Sequence, residues 1–463
     1  VSGCGNKAHM TGLLTDLYQL TMAAGYFEAG KASQVGCFEL FFRRLPRSRN
    51  FIVAAGLQQA VEYLLNLRFT RAEVDYLRGL PQFARVSPEF FEHLLNLRFT
   101  GDLFAMEEGT PVFAEEPLLT VRAPLMEAQI VETYLLATIG FPSLVATKAA
   151  RIAEVAGSRG VVEFGTRRAH SPEAGVLAGR AAYIGGCIGT SNTETGFRFG
   201  VPVFGTAAHS WVLSFPSERE AYQRLQEMLG ASTVYLIDTY DTVNGAKLAA
   251  ELGRPLWGVR LDSGNLVELS HVVRRILDDA GLRDAKIMAT SDLNEYRILE
   301  YTAAGAPIDA FGVGTDLATS ADAPSLGAVY KLVELEENGV TRYTAKYSEG
   351  KYTMPGAKQV FRFADHDQIA CSSECTGCGH GDGGPRALIR PVIIQGRLVR
   401  ELPSARESRE YAQRCLHKLP LACRSLFESE DHYPVECSAE LQARSEQVRA
   451  ELHRHVHRPE VHQ

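Results

Sequence analysis

Six short turns in the middle of the chain carry most of the residues that can do chemistry. They read Gly165-Thr166-Arg167-Arg168-Ala169-His170, Gly205-Thr206-Ala207-Ala208-His209-Ser210, Asp238-Thr239-Tyr240-Asp241, Asp262-Ser263-Gly264, Ser291-Asp292 and Gly312-Val313-Gly314-Thr315. The last has no bulky side chain to obstruct its backbone N–H groups, which suits a phosphate. Arg168 and Arg260 offer guanidinium forks to a carboxylate or phosphate, or else to a neighbouring Asp as structural glue. Asp238, Asp241, Asp262 and Asp292 are too many acids to stand unpaired on one face. They imply Mg2+ or sugar hydroxyls as well as some pairing with the arginines. His209 and His170 are the imidazoles placed to carry a proton or a phosphoryl group. Cations for anions, beside carboxylates for metal and hydroxyls, describe a pocket for a phosphorylated sugar.

These turns have to be brought together, and the runs before them show how. The β-branched or apolar segments Val161–Phe164, Val201–Phe204, Val234–Ile237, Leu256–Leu261, Lys286–Ala289 and Ile308–Phe311 alternate with helical patterns at intervals of tens of residues. That alternation predicts βαβ units and a parallel sheet, and so many units in one stretch favour an α/β barrel over an open sheet. In such barrels the site is built at the C-terminal ends of the strands, with phosphate commonly on the last loops, so all six turns should face one pocket. Before this region, Leu13–Tyr26 has helical spacing, Val35–Phe42 reads as a strand, and Thr110–Arg122 is punctuated by prolines like strands of an antiparallel layer. The string LLNLRFT occurs at Leu64 and again at Leu94. Two copies are a local duplication or chance, not a solenoid. After about Tyr330 strands return, the stretch Lys346–Arg362 is basic and β-like, and a helical segment from Ser404 leads to a polar, His-rich tail. The expected division is residues 1–10 as a cloning scar preceding a native start at Met10, 11–140 as an N-terminal α+β layer, 141–330 as the catalytic α/β barrel, and 331–463 returning to the first layer.

Composition narrows the function. With 48 basic and 55 acidic side chains the net charge is −7 and no basic stripe stands out, which argues against nucleic acid as a partner. The sequence shows neither an apolar run of membrane-spanning length nor a signal-peptide pattern, so no membrane partner and a cytoplasmic location are expected. Nine cysteines, an odd number, do not form a disulfide framework. Cys371, Cys375, Cys378 and His380 have a spacing that zinc accepts. Their Gly, Ser and Asp neighbours and the lack of a second paired half favour a plain surface loop, and no zinc is expected.

Five strings carry a family resemblance: Thr15-Asp16-Leu17-Tyr18-Gln19-Leu20-Thr21-Met22, Glu163-Phe164-Gly165-Thr166-Arg167-Arg168-Ala169, Gly205-Thr206-Ala207-Ala208-His209-Ser210, Gly258-Val259-Arg260-Leu261-Asp262-Ser263-Gly264 and Phe311-Gly312-Val313-Gly314-Thr315. In this order, over about Thr11 to Glu436, the chain resembles the nicotinate phosphoribosyltransferase family. The resemblance implies an irregular α/β barrel beside a mostly β domain built from both ends of the chain. It implies ATP-coupled transfer of phosphoribose from phosphoribosyl pyrophosphate to nicotinate, giving nicotinate mononucleotide and pyrophosphate, with Mg2+ carried mainly by the substrate. It further implies that Tyr18, Thr206 and Arg260 bind nicotinate, that Thr315 holds the phosphoribosyl phosphate, and that ATP transiently phosphorylates His209. Members are homodimers in which the N-terminal Tyr enters the neighbouring pocket, so Tyr18 would act in trans. The expected site has His209, Arg260 and Asp262 as catalytic groups. Around the substrates it has Tyr18, Arg168, His170, Thr206, Ser210, Asp238, Ser291, Gly312, Gly314 and Thr315. Two departures stand out: Asn265 replaces the Asp usual after Asp-Ser-Gly, and Cys371 to Gly384 is unlike the family. The competing readings are a nicotinamide-specific transferase and a non-catalytic phosphosugar-binding barrel.

Overall fold

The structure, a computed structural model, describes residues 12–348, 351–374, 384–427 and 432–456. Residues 1–10 lie outside them, as do Cys375, Cys378 and His380. Two sheets organise the chain. The first is antiparallel and seven-stranded, in the order Val340–Tyr343, Ala328–Glu337, Val35–Phe42, Leu119–Pro124, Asp102–Ala105, Arg390–Ile394, Arg397–Leu398. Its third strand, Val35–Phe42, is buried on both faces, which is why it reads as a nearly continuous apolar run. The one acid in that run, Glu39, is fully buried and pairs with Lys358 at 2.6 Å. A charge at that depth persists only with such a partner, and removing either side costs about 3–5 kcal/mol. Strands from both ends of the chain therefore share one β-rich layer, with Phe38, Leu40 and Phe42 in its core beside Val392 and Ile393.

The second sheet is parallel, in the order Gly189–Thr190, Gly160–Glu163, Ala310–Val313, Lys286–Ala289, Gly258–Leu261, Val234–Leu236. Read cyclically this is chain order, since the last strand, Ala310–Val313, lies against the first, Gly160–Glu163. Hydrogen bonds do not close the ring among the described residues, so the closed barrel expected from the sequence stands here as a six-stranded parallel sheet. The weak point is the second unit. The expected strand Val201–Phe204 is reduced to an isolated bridge between Thr190 and Val203, and the regular pairing falls on Gly189–Thr190 instead. Pro202 explains this: it has no N–H to give to a ladder, and only its carbonyl is used, accepting from Thr190 N at 3.0 Å. The expected strand Ile308–Phe311 begins two residues later, at Ala310.

A 25-residue helix, Glu132–Ala156, joins the two sheets and runs through the division placed at residue 140. Contrary to the sequence reading, it is long and apolar enough to span a membrane, but 78% of its most apolar window is buried inside the protein. Its polar residues explain the docking. Thr147 Oγ1 accepts from Val53 N at 2.9 Å and Ser143 Oγ from Ala55 N at 3.0 Å, so it pins the short Ile52–Val53 strand. Against its other side packs the helix Pro172–Gly185. A Cβ on Gly185 would lie 2.1 Å from the Ala146 carbonyl oxygen, so only glycine permits that approach. The duplicated string ends two helices in the same way. Asn66 and Asn96 turn back to the carbonyls of Glu62 and Glu92, and Leu67, Phe69, Leu97 and Phe99 enter the same core.

Candidate active site

Alternation along the parallel strands decides what faces the site. Val161, Val259, Leu261, Ile287, Ala289, Phe311 and Val313 turn to the large core shared with the helices. Residues one position away take the opposite face. Val162, Met288 and Ala310 cluster there, with Phe164 and Trp257 packed against them. Arg260 is in register with Met288, and Gly312 with Val162, so both share that face. Because all six strands run the same way, their C-terminal turns meet at one end of it.

Arg260 is the hub. Its Nε donates to Thr290 Oγ1 at 2.8 Å, its Nη1 to Thr206 Oγ1 at 2.7 Å and its Nη2 to Asp262 Oδ1 at 2.7 Å. The Thr290 hydroxyl in turn donates to Asp262. Burial alone would raise the Asp262 carboxyl. The hydrogen bonds from Thr290 and Arg260, with the charge of Arg260, hold it below the ordinary carboxylate range. Both roles weighed for Arg260 are therefore present together. One edge of the guanidinium is paired with Asp262, and the second N–H of Nη2 has no partner among the described residues.

His209 opens the short helix His209–Leu213 and is 42% exposed in its side chain. Its Nδ1 lies 3.1 Å from Thr239 Oγ1, and its Nε2 lies 3.8 Å from Asp262 Oδ2. A ring that donates from Nδ1 to Thr239 presents the Nε2 lone pair on the side of Asp262. Asp238 stands beside this pair. Its Oδ2 accepts from Ser263 Oγ at 2.5 Å and Asp262 N at 3.2 Å, while its Oδ1 is buried without a partner.

The turns at the first and last strands interlock. Phe164 N donates to Val313 O at 2.8 Å, and a Cβ on Gly165 would lie 2.6 Å from the Gly314 carbonyl oxygen. Gly312 has no room for a side chain: its Cβ would meet the Phe164 ring at 2.6 Å and Thr290 at 2.7 Å. Buried Glu163 ties the first two turns, accepting from Gly165 N and from Thr190 Oγ1 at 2.6 Å. Burial raises its carboxyl despite these bonds.

The remaining expected residues divide. Thr206, Asp238, Asp262, His209 and Gly312 join Arg260 directly or through one neighbour. Arg168, His170, Ser210, Ser291 and Thr315 are exposed at the turns, and Gly314 is half-buried between them. Ser291 has a φ of +102°, an unusual backbone for a residue with a side chain. Asp241 is a correction: its Oδ1 accepts from Asn244 N at 2.8 Å as the cap of helix Thr242–Leu252. Asn265 likewise caps Leu266–Asp279. Asp292 is exposed, and its carbonyl accepts from Arg297 Nη1 at 3.2 Å. Tyr18 is 50% exposed on the helix Leu17–Glu28; burial and the nearby Glu132 carboxylate raise its phenol, and it does not touch the Arg260 cluster.

Three residues enter that were not singled out: Thr239, Thr290 and Phe164. Each lies within a few residues of the end of a parallel strand, a position that could have flagged them. Of the cysteine cluster only Cys371 is described. It is buried, near Glu374 and Glu440, but Glu374 accepts from Cys371 N and Ser438 Oγ, and Glu440 from Arg444. Burial pushes the Cys371 thiol up to about 12.

Comparison with known proteins places these features. Residues 13–140 match the family model described as the nicotinate phosphoribosyltransferase (NAPRTase) N-terminal domain, and residues 160–352 match that of the nicotinate phosphoribosyltransferase (NAPRTase) family. The chain is 42% identical over 440 residues to nicotinate phosphoribosyltransferase pncB2 of Mycobacterium tuberculosis, covering 93% of this chain and 92% of the relative. It is 46% identical over 367 residues to the nicotinate phosphoribosyltransferase of Bacillus subtilis, covering 77% and 74%. The crystal structure of human nicotinic acid phosphoribosyltransferase superposes with a TM-score of 0.81 at 31% identity, covering 94% of this chain and 99% of that one.

Proposed function

The chain belongs to the nicotinate phosphoribosyltransferase family, and from that membership we propose that it joins nicotinate to the ribose of phosphoribosyl pyrophosphate, releasing pyrophosphate and nicotinate mononucleotide. The observation that carries the chemistry is Arg260, held in place by Thr206, Thr290 and Asp262 with an N–H left over for a carboxylate. Nicotinate has such a carboxylate. Thr206 orients the same guanidinium, and the Phe164 ring supplies an apolar wall for a flat heterocycle. The ring nitrogen of nicotinate attacks the anomeric carbon while the bond to pyrophosphate breaks, and the leaving oxygen takes the electron pair. No protein nucleophile toward the sugar is required, so catalysis is positioning and charge stabilisation.

The turn Gly312 to Thr315 is read as the seat of the ribose phosphate, with Arg168, His170, Ser210 and Ser291 at the rim. Mg2+ fits the hard oxygen donors present: Asp238 Oδ1 is buried without a partner, and Asp262 stands ionised beside it. The residues that would hold it are these two, with the ion carried mainly by the substrate; bound, it neutralises charge on pyrophosphate. ATP is read as a co-substrate that phosphorylates His209, the half-exposed imidazole between Thr239 and Asp262. Tyr18, half-exposed on its helix, completes the pocket of a second copy in a homodimer. The parallel sheet is read as an irregular barrel, supported by its cyclic strand order. Residues 141–330 supply the catalytic part, and 11–140 and 331–463 the layer beside it.

Pyrophosphate release from phosphoribosyl pyrophosphate with nicotinate, nicotinamide or quinolinate as acceptor tests the proposal. Release with nicotinate alone is expected. Release with nicotinamide alone would make this a nicotinamide transferase, and binding without release would make it a non-catalytic phosphosugar barrel.

A further inference from the structure

Close to the Gly312 to Thr315 turn lies a partly buried group of charges that the chemistry above does not use. Lys148, on the long helix, is 1% exposed in its side chain and reaches three carboxylates: Glu295 at 2.7 Å, Asp322 at 2.9 Å and Asp316 at 3.1 Å. Arg151 also holds Glu295, at 3.0 Å, and Arg49 grips Asp322 with two bonds of 2.6 and 2.8 Å. Three cations thus meet three carboxylates. Arg49 comes from the segment after strand Val35–Phe42, Lys148 and Arg151 from the long helix, and Glu295 from the start of helix Glu295–Ala303. Asp316 and Asp322 follow the last parallel strand. Burial alone would lower the Lys148 ammonium, but the charge of Glu295 and the hydrogen bonds it donates to Glu295 and Asp322 raise it, so it is a cation.

Arg151 and Arg49 already serve Glu295 and Asp322. Asp316 has Lys148 as its one cationic partner among the described residues. It directly follows Thr315, so its carboxylate stands next to the turn read as the phosphate seat. An uncompensated carboxylate there would repel the incoming phosphate.

We propose that Lys148 is a positioning residue for the transfer reaction: it neutralises and holds back the Asp316 carboxylate, so that the adjoining turn can accept the phosphate of phosphoribosyl pyrophosphate. This rests on the reading of that turn as the phosphate seat. The residue touches no substrate. Its effect should therefore fall on one substrate and leave the other alone.

In Lys148→Met the KM for phosphoribosyl pyrophosphate should rise about tenfold or more, while the KM for nicotinate changes less than about twofold. Adding Asp316→Asn to Lys148→Met should recover most of that loss, because the repelling charge is gone. A merely structural role would not give that rescue. Titration calorimetry of phosphoribosyl pyrophosphate without nicotinate should show the same order of affinities, whatever the acceptor proves to be. If wild type binds it but releases no pyrophosphate with nicotinate, the functional reading fails while this test stands. Equal effects on both substrates, or a double variant no better than Lys148→Met, would overturn the proposal. Should Lys148→Met not fold, Asp316→Asn alone decides: affinity for phosphoribosyl pyrophosphate should be unchanged or tighter, and a loss of more than about threefold would refute the role.

Discussion

Arg260 is fixed by three neighbours before any substrate arrives, and that anchoring makes its loss informative. Arg260→Ala should cut kcat/KM for nicotinate by about ten- to a hundredfold or more, since a hydrogen bond to a charged group contributes roughly 1.5–3 kcal/mol. Affinity for phosphoribosyl pyrophosphate should change far less; equal losses for both would mark Arg260 as a strut for Asp262. Arg260→Lys should recover only part, because one ammonium cannot span Thr206, Thr290 and Asp262 together. His209 makes a sharper prediction. Its Nδ1 is tied to Thr239, which leaves Nε2 to take a phosphoryl group. His209→Asn should abolish acid-labile labelling by γ-labelled ATP and remove ATP stimulation, with ribosyl transfer surviving weakly. Undiminished labelling would shift the role to His170, exposed at the neighbouring turn.

At the level of elements, helix caps explain residues that resemble ligands in sequence. Asp241 and Asn265 both accept a backbone N–H at a helix start. Asn265→Asp should therefore leave kinetics and melting temperature unchanged, whereas Asn265→Ala should lower stability by about 1 kcal/mol on thermal unfolding. A kinetic gain in Asn265→Asp would instead give that position a place at the substrate. Such caps also show where the sequence stops being readable. The strands were legible because parallel strands buried on both faces leave apolar runs, and the turns because polar residues cluster after them. Which acid does what was not, because Asp238, Asp241 and Asp262 differ only in the neighbour each meets, and that depends on register between strands. Thr290 was hidden for the same reason: its importance comes from Arg260 and Asp262 on the adjoining strand. Val201–Phe204 misled because its composition is β-like while Pro202 breaks the ladder.

Across the whole molecule, the two-layer plan was legible from β-like text at both ends of the sequence, and the parallel sheet from its repeated units, whereas closure into a barrel depends on pairing between distant edges that repetition alone does not specify. The long helix does not stand out as an apolar run because Lys148 and Arg151 interrupt it and small residues such as Ala149 and Ala150 carry its packing. The pairing of Val35–Phe42 with Ala328–Glu337 has a consequence for synthesis on the ribosome. The first strand is made hundreds of residues before its partner, so throughout translation it presents an open, apolar edge on that side. The nascent chain must wait, shielded, for its own far end. A chain ending before Ala328 should emerge insoluble or chaperone-bound even though the six parallel strands are intact, whereas one ending just after Tyr343 should be recovered more readily; equal solubility of the two in a cell-free translation would show that the early edge is protected by other means.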